Sequence, residues 1–143
     1  MSLVLDSSVT LSWCFEDERT AATVALLRQI QESGAVVPSL WRLEVANALQ
    51  MSMRRGRVTG EFRDAMLNDF LALDITTDTD TDTFAWSATL RLADRFQLTL
   101  YDAAYLELAQ RLSLPLATLD RELRTAAGAL GVPLLGHEED AVP

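Results

Sequence analysis

The chain contains no lysine, and all 12 of its basic residues are arginine. That absence removes a phosphate-binding loop ending in Gly-Lys-Ser/Thr, a Schiff-base lysine and a lysine general base at once. Cysteine and histidine are nearly as scarce. Cys14 lies in the apolar stretch Leu11-Ser12-Trp13-Cys14-Phe15 and His137 in Gly136-His137-Glu138-Glu139-Asp140. One thiol cannot form an internal disulfide, and its surroundings read as those of a reduced core cysteine. Zinc sites that need several Cys or His ligands are excluded, and a Ser-His-Asp triad would have to recruit the terminal segment. The 6 glycines fall into neither G-x-G-x-x-G nor G-x-S-x-G spacing. The polar chemistry left to the chain is carboxylate, hydroxyl and guanidinium.

No apolar run approaches the roughly 18 residues that span a bilayer, and no signal-peptide pattern opens the chain, so a cytoplasmic protein is expected. Met1-Ser2 reads equally as native or as an added remnant. At 143 residues and 49% hydrophobic content, one domain with a substantial core is expected. The net charge of −9 argues against a generic nucleic-acid-coating protein. It is compatible with a metal-dependent nuclease, because acids gathered around an ion add to the negative total while a local arginine patch meets phosphate.

Short apolar runs at Leu3-Val4-Leu5, Ala35-Val36-Val37, Leu73-Asp74-Ile75, Leu116-Ala117-Thr118-Leu119 and Val132-Pro133-Leu134-Leu135 read as strands. Between them, Phe62, Met66, Phe70 and Leu73 follow helical spacing, as do Phe84, Ala88 and Leu92, and Leu123, Ala126, Ala127 and Leu130. Strands apolar on both faces and separated by helices predict an α/β fold with a covered parallel sheet. Gly34, Gly56, Gly60 and Gly131 punctuate helix ends. The domain is expected over residues 1–135, followed by a loose acidic tail over 136–143. The run from Thr76 to Thr83 resembles a calcium loop but fails its spacing. With Asp78 as first ligand, Thr83 stands where glycine is needed and Thr89 where glutamate is needed, so a polar connection capping the Phe84 helix is expected.

Four acids interrupt apolar surroundings: Asp6 after Leu3-Val4-Leu5, Glu44 within Leu43-Glu44-Val45, Asp102 in Tyr101-Asp102-Ala103-Ala104, and Asp120 after Leu119. Ionised acids near an apolar interior are costly unless paired or metal-bound. Asp6 and Asp120 each follow a strand, at the carboxyl ends where open α/β sheets bind ligands. Each also suits an N-cap, Asp6 for Ser7-Ser8-Val9 and Asp120 for Arg121-Glu122-Leu123. Asp102 shares an apolar helix face with Leu106 and Ala109, and Thr99 offers it a capping-box partner. Glu44 lies too far into its helix for ordinary capping and needs a partner, either an arginine or the amide of Asn47 one turn on, itself equally readable as a core amide. Arg54, Arg55 and Arg57 form a basic wall suited to a phosphodiester backbone, or simply complement a helix C-terminus.

In order, Leu5-Asp6-Ser7-Ser8-Val9, Glu44-Val45-Ala46-Asn47-Ala48-Leu49, Thr99-Leu100-Tyr101-Asp102-Ala103-Ala104-Tyr105 and Ala117-Thr118-Leu119-Asp120 resemble the PIN-domain ribonucleases, in particular VapC-like toxins of toxin–antitoxin pairs. The resemblance runs from about Leu3 to Leu135. It implies a three-layer sandwich with a central parallel five-stranded sheet, and an endoribonuclease in which Asp6, Glu44, Asp102 and Asp120 are catalytic and hold Mg²⁺, with Mn²⁺ substituting. It further implies supporting hydroxyls at Ser8, Thr99 and Thr118, an RNA substrate, a cognate antitoxin seated on the acidic pocket, and a homodimer. The apolar helices around Val24-Leu27-Ile30 and Phe62-Met66-Phe70 are candidate contacts for antitoxin or second copy, or ordinary core. A housekeeping or DNA-directed nuclease of the same family, and a non-catalytic binding module with structural acids, are the competing readings.

Overall fold

The computed structural model describes residues 2–140; Met1 and residues 141–143 lie outside the described residues. Five strands, β1 (Val4–Leu5), β2 (Ala35–Val37), β3 (Ile75–Thr77), β4 (Leu116–Ala117) and β5 (Leu134–Leu135), form one all-parallel sheet in the order β3-β2-β1-β4-β5. The helices are α1 (Ser7–Ser12), α2 (Ala21–Ser33), α3 (Trp41–Arg54), α4 (Gly60–Leu71), α5 (Thr81–Phe84), α6 (Ala88–Phe96), α7 (Leu100–Leu112) and α8 (Arg121–Ala129). Helix α3 packs on α1 and α4, whereas α7 packs on α6, α8 and the central strands, giving the α/β/α layering expected of right-handed crossovers. Among the described residues no helix is long and apolar enough to cross a membrane.

The core is centred on β1 and α7. Leu3, Val4 and Leu5 are fully buried, as are Ala103, Tyr105, Leu106 and Leu108. The strand order reverses between β1 and β4, since the chain moves outward through β2 and β3 before crossing back to β4. Such a reversal leaves a crevice beyond the carboxyl ends of the two strands.

Two elements differ from the sequence reading. The third strand lies two residues later than the apolar run, because Leu73 still closes the last turn of α4 through its N–H to Phe70 O. As an edge strand, β3 is built from half-exposed Ile75 and exposed Thr76 and Thr77 and needs no double-sided apolar pattern. The helix expected through Phe84, Ala88 and Leu92 is broken at Ala85–Ser87. Thr81 ties α5 to the sheet by donating to Asp78 and accepting from the Ser39 N–H, while α6 packs against α7.

Gly34 ends α2 at φ 74°, and a Cβ there would lie 2.9 Å from Asp74 O, so both backbone and space require glycine. The segment after Gly136 makes contacts with the domain over residues 136–140. Arg124 grips Asp140 at 2.7 and 2.9 Å, and Glu138 accepts from the Ala22 N–H.

Buried charge is not confined to the four acids singled out from sequence. Glu107 of α7 is buried and Asp78 nearly so, with Arg111 between them: Nε donates to Glu107 Oε2 at 2.8 Å and Nη2 to Asp78 Oδ2 at 2.7 Å. Burial alone would raise the Asp78 pKa, but the Arg111 hydrogen bonds hold it below its usual value. Removing the shared cation strands two desolvated carboxylates. Arg111→Ala is therefore expected to lower the unfolding free energy by about 3 kcal/mol in urea titration; a loss within experimental error would show that the triad is dispensable.

Candidate active site

Among the described residues seven side-chain carboxylates are not exposed: Asp6, Glu44, Asp78, Asp102, Glu107, Asp120 and Asp140. Three are neutralised by arginine, Asp78 and Glu107 by Arg111 and Asp140 by Arg124. Among the described residues the other four form no ion pair at all. Those four are the acids that interrupt the apolar pattern of the sequence, and each is carried to the crevice at the β1/β4 switch point by a different element.

Asp6 follows β1 and is 3% exposed. It occupies the N-cap position of α1 without making a capping bond. Its Oδ2 instead accepts from Ser8 Oγ at 2.6 Å and Thr118 Oγ1 at 2.7 Å. Ser8 in turn accepts from the Leu119 N–H, and Thr118 from the Asp120 N–H, so β1 and β4 are laced together around this one carboxylate. Burial raises the Asp6 pKa; the two hydroxyls oppose that, and the charge of Asp120 adds to it.

Asp102 lies in the first turn of α7, where its N–H is capped by Thr99 Oγ1 at 3.1 Å while its own carboxylate stays half-exposed. Partial burial, then the charges of Asp120 and Asp6, push its pKa up to about 6, and Glu122 adds a smaller effect in the same direction. Asp120 both caps α8, accepting from the Leu123 N–H at 2.9 Å, and faces these neighbours, so the capping role and a place in the cluster coexist.

Glu44 departs from the sequence reading in its partner. Neither an arginine nor Asn47 holds it. Asn47 is exposed, so it is no core amide either, and Tyr105 Oη donates to Glu44 Oε1 at 2.5 Å. Burial raises the Glu44 pKa, the tyrosine lowers it, and the charges of Asp6 and Asp102 raise it again. Tyr105 is fully buried, and that burial first, then the charges of Asp6 and Glu44, keep its hydroxyl protonated. In the sequence Tyr105 carries no role beyond closing the motif around Asp102. The available signal was its place three residues after Asp102, which puts both on one face of α7.

Arg57 pairs with Asp17 and Glu18, and its guanidinium lies 3.9 Å from the centroid of the Phe15 ring. Arg54 and Arg55 are exposed at the far end of α3 from Glu44.

The four carboxylates thus meet electrostatically at one end of the sheet but do not form a closed cage. Among the described residues no three acidic, histidine or cysteine side chains are drawn together tightly enough to hold an ion as they stand. Donor chemistry and charge nonetheless fit a hard divalent cation: every donor is oxygen, water can complete the shell, and no protein cation competes. Of these acids Asp102 is half-exposed and open to an ion, whereas Glu44 is held by Tyr105.

The family model for the PIN domain matches residues 3–129. Ribonuclease VapC3 from Pyrobaculum aerophilum is 33% identical over 139 residues, spanning 93% of this chain and 100% of the relative. The crystal structure of PAE2754 from Pyrobaculum aerophilum superposes with a TM-score of 0.66 at 24% identity, over 88% of this chain and 84% of the other. That of FitAcB from Neisseria gonorrhoeae gives 0.65 at 16% identity, over 95% and 97%. The chain belongs to the PIN-domain family. Within that family it is VapC-like, as the relation to VapC3 along nearly its whole length shows.

Two outcomes are expected. In the metal-free protein Asp102 binds its proton more tightly when folded than when unfolded, so stability rises as pH falls through about 6 and is lost above it. With EDTA present, the melting temperature is expected to be higher at pH 5 than at pH 7.5, and Asp102→Asn to flatten that slope; an equal slope in the variant would deny the clustering. Tyr105→Phe, which frees Glu44, is expected to weaken Mn²⁺ binding about tenfold in calorimetric titration, and unchanged affinity would make the hydrogen bond incidental.

Proposed function

We propose that this chain is a divalent-metal-dependent endoribonuclease and the toxin half of a toxin–antitoxin pair acting in the cytoplasm. The observation that carries the reading is the sorting of carboxylates: every other acid withdrawn from solvent has an arginine, and the four at the switch point have none. A structural cluster of caps and ion pairs, the binding-module alternative, does not leave four such acids without a counter-charge. The name of the VapC3 relative supplies the substrate class, RNA.

In this reading Asp6 and Asp102 hold Mg²⁺ or Mn²⁺ directly, and Glu44 and Asp120 complete the site partly through water. When bound, the ion supplies charge neutralisation at the scissile phosphate and a more acidic attacking water, so no protein nucleophile is required. The residues of the chain do the positioning. Ser8 and Thr118 fix Asp6 between the two central strands, Thr99 fixes the turn of α7 that carries Asp102, and Tyr105 fixes Glu44 against the repulsion of its neighbours. Hydrolysis in line would leave a 5′-phosphate and a 3′-hydroxyl.

An antitoxin segment that brings an arginine into the crevice would meet the same uncompensated charge and block the site. Further contact, with antitoxin or with a second copy in a homodimer, would fall on the apolar faces of α2 and α4, where Val24, Leu27 and Met66 line an open cleft.

With Mn²⁺ or Mg²⁺, the purified chain is expected to cleave a structured RNA such as tRNA. EDTA is expected to stop the reaction, and Asp6→Asn or Asp102→Asn to reduce it by at least about 100-fold, the scale set by loss of one electrostatic catalytic group. Cleavage persisting in both variants would reject the site. Expression without the neighbouring small reading frame is expected to arrest bacterial growth, and co-expression to relieve it; unimpeded growth would favour the housekeeping nuclease.

A further inference from the structure

We propose that the cleft between the end of α6 and the start of α8 receives an unpaired nucleotide of the substrate RNA next to the scissile phosphate, with Arg121 meeting the phosphate backbone. The proposal rests on the ribonuclease reading and adds the surface that holds the substrate.

The cleft is lined by Phe96, Gln97, Arg121, Glu122, Thr125 and Ala126. It adjoins the acids on two sides. Arg121 and Glu122 directly follow Asp120 and open α8, which Asp120 caps. Gln97 stands two residues before Thr99, whose hydroxyl caps the turn that carries Asp102. A chain threaded across the four carboxylates therefore has this cleft as its neighbour.

Arginine usage points the same way. Arg19, Arg57, Arg63, Arg111 and Arg124 are engaged by backbone oxygens or acids of the protein itself. Arg121, like Arg28 and Arg91, is exposed and, among the described residues, forms no ion pair; of the three it is the one that lines this cleft, where its guanidinium is available to a phosphate. Arg42, two residues from Glu44, lines instead the apolar cleft with Trp41, Val45 and Phe70. Arg54 and Arg55 are roughly three helical turns from Glu44, about 16 Å along the axis.

The remaining lining suits an unstacked base. Gln97 offers both a donor and an acceptor, Thr125 a hydroxyl, and Glu122 an acceptor for exocyclic amino groups. Arg95 lies 4.9 Å from the centroid of Phe96, placing a flat cation–aromatic pair at the border of the cleft. The acidity of Glu122 would repel a phosphate but not a base, which orients the nucleotide with its phosphate toward Arg121.

The test is steady-state cleavage of RNA by the full chain with Mn²⁺, together with sequencing of the products from a random-sequence RNA pool. Arg121→Ala is expected to raise KM about fivefold and to reduce the salt dependence of kcat/KM by about one phosphate contact, with kcat and Mn²⁺ affinity held. Gln97→Gly, which suits the left-handed backbone at φ 55°, is expected to change the preferred cleavage sequences without lowering the melting temperature. If both variants keep the KM and sequence preference of the wild type, or if only Arg54→Ala/Arg55→Ala raises KM, the cleft is not the subsite. A wild-type chain that cleaves no RNA overturns the ribonuclease reading itself, an outcome distinct from loss of the subsite alone.

Discussion

Ionised carboxylates withdrawn from water repel one another and lose hydration, and this protein meets that cost in two different ways. Along α7 and at the end of the described chain it supplies arginine: Arg111 to Glu107 and Asp78, and Arg124 to Asp140. At the carboxyl ends of β1 and β4 it supplies only neutral donors, the hydroxyls of Ser8, Thr118 and Tyr105. Neutral donors orient a carboxylate without cancelling its charge. The site is therefore held in shape yet remains short of positive charge, which is the state a cation-binding site requires before the cation arrives.

The topology makes that concentration of charge possible. Each of the four acids comes from a different part of the chain, and only the reversal of strand order between β1 and β4 gives them a shared crevice. The arginine triad has a complementary part: by joining α7 to the residue after β3, it ties the helix that carries Asp102 and Tyr105 to the sheet's far edge. Packing of fully buried Leu106 and Leu108 fixes the same helix from within.

Much of this was legible in the sequence because it is written in local pattern. Short apolar runs mark the strands, and Asp6, Glu44, Asp102 and Asp120 stand out as charges within apolar surroundings. Partner choice was less legible, since it depends on side chains distant in sequence. Tyr105 and Glu44 are 61 residues apart, and Arg111 and Asp78 are 33 apart. Asn47 was placed beside Glu44 by helical proximity alone, and it faces solvent. The shifted β3 has a similar origin, because an edge strand exposed to solvent does not carry the apolar signature by which interior strands are found.

The central claim is that the uncompensated acids form a cation site, and the most direct test is a crystal soaked in Mn²⁺ and measured for anomalous scattering. The account predicts a peak between Asp6 and Asp102, with the Asp102 side chain turned toward it from its metal-free position and Glu44 still held by Tyr105. A crystal saturated with Mn²⁺ that shows no peak within coordination distance of Asp6 or Asp102 would contradict it.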